Sequence, residues 1–388
     1  MVETVESSAP LDGLIVVSLE QAISAPFATR QLADLGATVI KVERPEGDFA
    51  RHYDSQVQGL SAFFVWANRG KQSIMLDLKS AEDFATFTAL IAGADVFVHN
   101  ISPGAAARLS IGSATLAAQY PALIACEISG YGAGGPRSDD KAYDLAIQAE
   151  AGAFSVTGDE DMSKVGFSIA DIASGMYALT SILAALVRRD RTGQGAVISV
   201  SMLESLAEWL SAPLYAAVHG SGQAPRTGRR HHSIAPYGTF TASDGHSILI
   251  AVQNDREWVK LADVVLGEPE LGTDGRFATN SARLANVDAL EALLIARLSV
   301  LTTAEAFALL REAGIAVASV NTLAEVWEHE QLRARDRFQQ VDTETGPLEM
   351  LVSPFDISGW RPGPQRVPAL DEHDAEAIQR IVDRGAPL

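Results

Sequence analysis

One aspartate lies where a carboxylate could act as a nucleophile. Asp171 follows the apolar segment Val165–Ala170, at the point where the sequence takes on the pattern of a helix. An aspartate at a helix start is often a cap, and capping alone would account for it. A carboxylate fixed there in apolar surroundings is also partly desolvated, and such a group can attack a carbonyl carbon. Asp171 is therefore our candidate for covalent chemistry, with capping as the alternative.

The other chemical motifs in the chain are weaker. Residues 130–135 read GYGAGG and contain the GxGxxG pattern of dinucleotide-binding folds, but that motif should begin a helix. The polar segment Pro136–Asp140 follows instead, which favours a mobile glycine loop over a nucleotide-binding protein. The sequence contains no Walker motif and no GxSxG elbow, and the adjacent His231 and His232 point in different directions. We therefore predict no metal site.

Charge and composition limit the class of protein. The chain has 388 residues, with 30 Lys+Arg against 49 Asp+Glu and a formal net charge of −19. Nucleic-acid binders usually present a basic face to phosphate, so this class is disfavoured. The 47% hydrophobic and 20% charged residues are ordinary for a folded protein with a sizeable core. A single anionic ligand could still be held in a locally basic pocket.

Three features predict a soluble, cytoplasmic protein. The single cysteine, Cys126, cannot form an intrachain disulfide and lies in an apolar run, which indicates a buried strand thiol. Residues 1–10 are acidic and lack the basic start and apolar stretch of a signal peptide. The most apolar helical stretch, Met176–Val187, is too short to span a bilayer. We expect neither a membrane nor a nucleic acid as partner.

The first half of the chain alternates between the periods of strands and helices. Helical patterns, including a long one from about Asp171 to Val187, separate strand patterns at 14–19, 38–43, 73–78, 95–99, 122–128 and 196–200. Short apolar strands separated by helices predict βαβ units and a mostly parallel sheet covered on both faces. The predicted fold class is α/β.

A change of composition near His219 indicates a second domain. A loop-like stretch is followed by a helical pattern at 287–298 and by a capping box formed by Thr302 and Glu305. These patterns predict a smaller α/β domain. The predicted boundaries give a large domain over 1–219, a small domain with its linkers over 220–328, and a C-terminal segment over 329–388 that returns to the large domain.

A series of short motifs runs along essentially the whole chain. They are LDG at 11–13, LGATVIKVERP at 35–45, NRGK at 68–71, LDLK at 76–79, Asn100 with Pro103-Gly104, GYG at 130–132, Tyr143-Asp144, and Asp171 with Ser174-Gly175. Taken together, in this order and spacing, they resemble the family III (CaiB/BaiF-type) CoA transferases.

The resemblance implies a shape and a reaction. It implies a Rossmann-like large domain built from both chain ends, a smaller domain between them, and two chains interlocked in a homodimer. It implies that Asp171 attacks an acyl-CoA thioester, forming an aspartyl mixed anhydride and releasing CoA thiolate. The thiolate then attacks the aspartyl carbonyl, which gives an enzyme–CoA thioester and the free acid, and an incoming carboxylate reverses the sequence. Acyl-CoA is a substrate here, and no permanently bound cofactor, ATP or metal is expected.

The resemblance also implies which residues contact the substrates. The candidate CoA contacts are Ala22, Ser24, Arg44, Leu76, Lys79, Asn100, Ile101, Arg108 and Lys141. The candidate contacts with the acid substrate are Tyr143, Arg230, His232, Gly132 and Gly134. The two glycines would offer backbone N–H groups to an oxyanion. For each cation the alternative is a solvated surface charge.

Two comparisons within the superfamily narrow the expected reaction. The α-methylacyl-CoA racemases use the His of a Gly-His-Asp motif as a base, and Ala142-Tyr143-Asp144 aligns with it. Tyrosine, with an unperturbed pKa of about 10, is a poor base near neutrality, so we favour transfer over racemisation. The segments 232–238, 251–258 and 276–280 are similar to those of dicarboxylate transferases. We therefore expect a C4–C5 dicarboxylate such as mesaconate, itaconate, malate or succinate.

Overall fold

The chain forms two compact units in a computed structural model that describes residues 9–220, 222–363, 365–373 and 379. The first unit comprises Met1–Ala153, Lys164–Ala212 and Arg333–Leu388, and the second comprises Phe154–Ser163 and Pro213–Leu332. The divisions after residues 212 and 332 lie near the expected ones after 219 and 328. The segment Phe154–Ser163, which we expected in the large domain, belongs to the second unit because its backbone binds residues 226–228 there.

A six-stranded parallel sheet forms the centre of the first unit. Its strands are β1 (Ile15–Leu19), β2 (Thr38–Glu43), β3 (Lys71–Met75), β4 (Val96–His99), β5 (Ile124–Ser129) and β6 (Ala196–Ser201). They run in the order β3-β2-β1-β4-β5-β6, and every neighbouring pair is parallel. The predicted α/β class with a mostly parallel sheet is confirmed. In this topology ligands bind beyond the carboxyl ends of the strands where the order reverses, here between β1 and β4.

Helices cover both faces of this sheet. They are α1 (Ser24–Asp34), α2 (Ala62–Asn68), α3 (Ala81–Ala92), α4 (Pro103–Arg108), α5 (Ser113–Gln119), α6 (Asp144–Glu150), α8 (Ile169–Thr192) and α9 (Met202–Trp209), with a 3₁₀ turn at Phe49–His52. Helices α7 (Ala153–Val156) and α10 (Ser211–His219) belong mostly to the second unit. Alternate residues of β1 point to opposite faces: Val16 joins the core under α1 and α8, whereas Val17 joins the core under α3. The single cysteine is buried in β5, as predicted.

The helix that carries Asp171 is longer than predicted. Helix α8 has 24 residues and ends at Gly193, whose φ of +68° is the left-handed C-cap that favours glycine. The prediction stopped near Val187 because the charged turns that follow are exposed and break the apolar pattern. By length and composition alone α8 could cross a membrane, although a core helix meets the same criteria. Its side chains at Ala178 and Ile182 are fully buried against the sheet.

The second unit has its own sheet and core. Strands β7 (Tyr237–Thr241), β8 (Ser247–Ala251) and β9 (Ala316–Ser319) form an antiparallel sheet in that order, beside a core around Trp258 and Phe277. Its helices are α11 (Asp255–Lys260), α12 (Asn280–Ala285), α13 (Val287–Leu298), α14 (Thr303–Glu312) and α15 (Leu323–Trp327), with a π-helical turn at Leu261–Leu266 and a 3₁₀ turn at Pro269–Gly272. The predicted capping box of Thr302 and Glu305 is confirmed.

The C-terminal segment packs within the first unit. After α16 (Glu330–Ala334), strands β10 (Phe338–Asp342), β11 (Leu348–Leu351) and β12 (Gln365–Arg366) form a small sheet in the order β11-β10-β12. The N–H of Gly70 donates to the carbonyl of Arg366 at 2.8 Å, and the Gln365 amide donates to Asp34 at 2.7 Å. These bonds attach the segment to the elements around the parallel sheet.

Candidate active site

A cleft of about 770 Å³ opens at the carboxyl ends of β1 to β4. Its wall is formed by the residues that follow each of these strands, which is where the strand order predicts a ligand. Five of the predicted CoA contacts line it together: Arg44, Leu76, Lys79, Ile101 and Arg108. The three basic side chains among them are exposed. These three cations can contact phosphate groups, although the chain as a whole carries −19 and acids also line the cleft, among them Glu46 at 3.8 Å from Arg44.

Beneath the cleft, buried acidic side chains are matched by buried cations. Lys71 Nζ donates to Glu20 Oε1 at 2.6 Å, and the Arg51 guanidinium donates to both oxygens of Glu43 at 2.7 and 2.9 Å. Burial alone would raise the pKa of Glu43, but the hydrogen bonds from Arg51 and the charge of Lys41 outweigh it and lower the pKa to about 2. Burial lowers the pKa of Lys71 to about 7 against the charge of Glu20. These acids are structural counter-charges.

Three further predicted CoA contacts meet at the turn between β1 and α1: Ala22 and Ser24 belong to it, and Asn100 reaches it from the end of β4. Asn100 accepts from the N–H of Gln21 at 2.9 Å and donates to its carbonyl at 2.8 Å and to Ser24 Oγ at 3.2 Å. Ala22 has a φ of +61°, and its N–H donates to Asp48 Oδ1 at 3.1 Å. Asn100 and Ser24 are thus engaged with this turn, at the edge of the cleft. Asp48 was missed by the sequence analysis.

Glycine at position 175 lets this turn approach the helix that carries Asp171. A Cβ on Gly175 would lie 2.8 Å from the carbonyl oxygen of Ser24 and 2.8 Å from a ring carbon of Phe27. No other residue could occupy the position without moving α1 away from α8. Gly175 is four residues after Asp171, and residues with this spacing lie on the same side of a helix. The cleft-edge turn and the candidate nucleophile are therefore neighbours.

Asp171 lies in the first turn of α8, where its carboxyl group is largely desolvated. Burial, together with the negative charge of Asp144, raises the pKa of Asp171 to about 7. Asp144 Oδ1 accepts from the N–H groups of Ala170 at 2.8 Å and Asp171 at 3.3 Å. Asp144 therefore caps the start of α8, and Asp171 is the acidic residue of its first turn. A carboxylate with this pKa is substantially ionised at neutral pH and weakly solvated.

Asp144 is itself held by a second residue of α6. Gln148 Nε2 donates to Asp144 Oδ2 at 2.7 Å, and Gln148 Oε1 accepts from the N–H of Val165 at 2.9 Å. This amide therefore joins the cap to the segment that leads into α8. The sequence analysis used Asp144 only as part of a motif and missed Gln148. The available signal was their spacing, since residues four apart share one side of a helix.

Two tyrosines lie near the candidate nucleophile. Tyr53 is 46% exposed, and partial desolvation, with the negative charges of Asp48 and Asp171 and the hydroxyl of Tyr143, raises its pKa to about 12. The Tyr53 ring contacts Phe63 edge-on, with 5.7 Å between ring centroids. Tyr143 is exposed and precedes α6. Tyr143 was predicted, whereas nothing in the sequence around Tyr53 indicates its position.

The glycine-rich segment after β5 is a loop. Gly132 and Gly134 have φ values of +80° and +82°, and the N–H of Gly132 donates to Ser129 Oγ at 3.2 Å. The next helix begins at Asp144, so the GxGxxG segment does not start a helix as a dinucleotide motif would. Lys141, also in this loop, is exposed and does not line the cleft described above.

The remaining predicted contacts belong to the second unit. Arg230 lines a cleft of about 270 Å³ there with Arg226 and Arg229. The Arg230 guanidinium lies 3.5 Å from Asp288 and 3.7 Å from Glu291. His232 is exposed and stacks on His231 with 4.8 Å between ring centroids, so the expectation that these two side chains point in different directions is wrong. An acid substrate would compete with these two carboxylates for Arg230.

Known proteins identify the family to which this arrangement belongs. Residues 11–374 match the family model described as CoA-transferase family III. The chain belongs to this family. It is 38% identical to an acetyl-CoA:oxalate CoA-transferase from Acetobacter aceti, over 94% of both chains. It is 32% identical to a succinyl-CoA:mesaconate CoA-transferase from Haloarcula marismortui, over 97% of both.

A solved structure is similar over nearly the whole chain. It is a CaiB/BaiF family protein from Brucella suis, 36% identical, with a TM-score of 0.85 over 97% of this chain and all of that one. The resemblance stated from the motifs is confirmed: this family III CoA-transferase is an enzyme that uses acyl-CoA as substrate. Because these relatives are named as CoA-transferases, the racemase alternative is not favoured.

Proposed function

We propose that the protein moves CoA between an acyl-CoA and a small dicarboxylate, with Asp171 as the nucleophile. The observation that carries the proposal is a contrast between two desolvated carboxylates, of which Glu43 is buried and Asp171 is half-buried. Glu43 is hydrogen-bonded to a cation and keeps a low pKa, whereas burial and Asp144 raise the pKa of Asp171 to about 7. A weakly solvated carboxylate that ionises near neutrality is suited to nucleophilic attack.

The reaction would proceed by two exchanges at the Asp171 carboxyl group. Asp171 Oδ forms a bond to the thioester carbonyl carbon, the C–S bond breaks, and CoA leaves as thiolate. The thiolate then attacks the aspartyl carbonyl of the mixed anhydride, which releases the first acid as a carboxylate and leaves CoA on Asp171. A second carboxylate attacks this thioester and runs the two steps in reverse. Each step transfers one acyl group, so charge and atoms balance without an added reductant or phosphate donor.

The expected binding of CoA follows from the cations of the cleft. Arg44, Lys79 and Arg108 would contact its phosphates. The thiol end would then lie toward the turn that contains Ala22 and Ser24, beside α8. Tyr143 is proposed as a contact of the acyl group, and Gly134 as an oxyanion donor. Gly132 is a poorer donor because its N–H is already bonded to Ser129.

The choice of acid is supported by the names of relatives. The two relatives described above are named for oxalate and mesaconate, and a further one, from Mus musculus and 32% identical, is named for glutarate. We propose a C4–C5 dicarboxylate as the acceptor, with oxalate as the second candidate because the more identical of these relatives is named for it. A panel of acyl-CoAs and free dicarboxylates, read by mass spectrometry, would distinguish these acids.

Trapping of the intermediate tests the mechanism. The protein is incubated with each acyl-CoA of the panel, treated with hydroxylamine, and digested for peptide mass mapping. We expect a hydroxamate on Asp171, and none in the Asp171→Asn variant. Asp190→Asn, an exposed aspartate on the same helix, is the matched control and should be labelled like the wild type. A label at another carboxylate, or full transfer by Asp171→Ala, would exclude the proposal.

Assembly and location remain proposals. We propose a cytoplasmic homodimer of interlocked chains, which rests on the resemblance. The exposed Leu214, Tyr215 and Val218 on α10 are compatible with a protein interface, since all three are more than 45% exposed. Sedimentation at micromolar concentration would measure one species of twice the 41.2 kDa chain mass. A monomer at that concentration would exclude the dimer.

A further inference from the structure

Ala22 adopts a backbone conformation that alanine rarely takes. Its φ is +61°, in the left-handed region where a Cβ is unfavourable. A residue held there persists only where its surroundings enforce the conformation. The turn that contains Ala22, from Glu20 to Ser24, joins β1 to α1. The neighbours of Ala22 must therefore hold this conformation in place.

Two side chains from other parts of the chain enforce it. Asp48 Oδ1 accepts from the N–H of Ala22 at 3.1 Å and of Ala50 at 2.9 Å, while Asp48 Oδ2 accepts from Lys41 Nζ at 2.8 Å. The side chains of Asp48 and Lys41 are fully buried. Asn100 binds the N–H and carbonyl of Gln21, before Ala22, and donates to Ser24 Oγ, after it, at 3.2 Å. The turn is therefore fixed by bonds on both sides of the strained residue.

The same turn lies between the cleft and Asp171. Glu20 and Gln21 line the cleft. At its other end, the carbonyl of Ser24 meets α8 at Gly175, four residues after Asp171. A rotation of the peptide at Ala22 would move the cleft edge relative to α8. Its conformation therefore sets how the cleft is aligned with the carboxyl group.

We propose that Asp48 and Asn100 are positioning residues for CoA transfer. They hold Ala22 in the left-handed conformation, and the turn in that conformation aligns a thioester bound in the cleft with Asp171. This inference rests on the proposed function. Asp48 acts through the backbone of Ala22 and Asn100 through that of Gln21. The expected loss on removing either bond is therefore in kcat more than in the KM for acyl-CoA.

A double-mutant cycle between positions 48 and 22 tests the inference. Asp48→Ala should lower kcat at least about tenfold when residue 22 is alanine, because the strained turn is released. With Ala22→Gly the same change should cost no more than about threefold, because glycine adopts positive φ readily. A purely structural role of Asp48 predicts the same fold-loss in both backgrounds, and that result would overturn the inference.

A control and a second variant keep the test decisive. Gln58→Gly is the matched control, since Gln58 is exposed, has a φ of +51° and lies outside the turn. It should leave the loss caused by Asp48→Ala unchanged, and rescue by it would overturn the inference. If Asp48→Ala does not fold, Asn100→Ala replaces it in the same cycle, because Asn100 is only partly buried. A wild type without transfer activity defeats the proposed function, whereas an active wild type without coupling defeats only this inference.

Discussion

Two groups of acids in the first unit differ in the charges that face them: Glu20 and Glu43 are buried, whereas Asp144 and Asp171 are half-buried. Below the cleft, Glu20 binds Lys71 at 2.6 Å and Glu43 binds Arg51 at 2.7 Å. At the start of α8, the charge that acts on Asp171 is a second carboxylate, that of Asp144. Against the effect of burial, Arg51 and Lys41 lower the pKa of Glu43 to about 2, whereas burial and, to a smaller extent, Asp144 raise that of Asp171 to about 7.

The difference separates acids that stabilise the fold from the acid that is available for chemistry. Glu43 accepts hydrogen bonds from Arg51 in the folded state, and these bonds stabilise its carboxylate and make it a weaker nucleophile. For Asp171 the folded state disfavours the ionised form, so its ionisation costs free energy in the folded protein at neutral pH. From a pKa raised from 3.8 to about 7, this cost is at most about 4 kcal/mol. Stability is lost at the site where reactivity is needed.

The largest expected effect is that of Asp171→Asn. Transfer should fall by at least about 10³-fold, because the amide cannot form the acyl intermediate. Stability should rise at pH 8, by up to about 4 kcal/mol, because the folded state no longer holds an ionised, desolvated carboxylate. Urea unfolding at several pH values measures the gain.

The pH dependence of that gain identifies its cause. The folded-state pKa of Asp171 is raised, so the wild type loses stability as pH rises from about 4 to about 7. The gain in Asp171→Asn should therefore shrink as pH falls through this window. Asp190→Asn on the same helix is the control, with an expected change below about 0.5 kcal/mol because Asp190 is exposed. A gain independent of pH would contradict this explanation.

Arg51→Met tests the other group of acids and should act in the opposite direction. It leaves Glu43 buried without its main hydrogen-bond donor, so we expect a loss of about 3 kcal/mol in the free energy of unfolding at pH 7. The control is Arg335→Met, whose exposed pair with Asp356 at 2.7 Å should contribute less than about 1 kcal/mol. Urea denaturation compares the two. Equal losses in the two variants would show that the buried pair of Arg51 and Glu43 contributes no more to stability than the exposed pair of Arg335 and Asp356.

The sequence predicted the elements best where the apolar pattern and the burial agree. Strand β2 and helix α13 have the predicted bounds, because their apolar side chains face a core. Strand β3 was predicted at 73–78 but spans Lys71–Met75. Its first residues include Lys71, a polar side chain buried by an ion pair with the distant Glu20. Hydropathy cannot indicate a burial that depends on a partner 51 residues away.

The same limit explains which parts of the candidate site were missed. Asp171 could be named because its own neighbours carry the motif. The bond from Ala22 to Asp48 and the bond from Ala170 to Asp144 each span 26 residues. Neither end of such a bond has a local signature, since aspartates that accept from backbone N–H groups also occur in ordinary turns. Residues that hold the site in place therefore require the fold to be known.

The pH dependence of kcat tests whether the raised pKa of Asp171 controls the reaction. Because the nucleophile must be ionised, kcat should fall about tenfold per unit below pH 7 and level off above it. Asp144→Asn removes the neighbouring negative charge, so the midpoint should move to lower pH. The shift should be under about one unit, because burial is the larger cause. An unchanged midpoint in Asp144→Asn would show that Asp144 acts as a cap alone.

Tyr53→Phe should have the smallest effect, and it connects the two groups of acids. The Tyr53 hydroxyl experiences both Asp48, which is paired with Lys41, and Asp171. Removing a polar hydroxyl that interacts electrostatically with the ionised nucleophile should lower kcat/KM by about two- to fivefold. Because the pKa of Tyr53 is about 12, it stays neutral over the whole profile, and the midpoint of kcat should change little.

The control for this substitution is Tyr120→Phe, because the Tyr120 hydroxyl accepts a bond from its neighbour Gln119 and lies outside the cleft. Its kcat/KM should stay within about twofold of the wild type. If Tyr53→Phe lowers kcat only at low pH, the hydroxyl is acting as a proton donor and not as a fixed dipole. If it has no effect at any pH, then Asp171 is the group whose reactivity depends on burial and Asp144 alone.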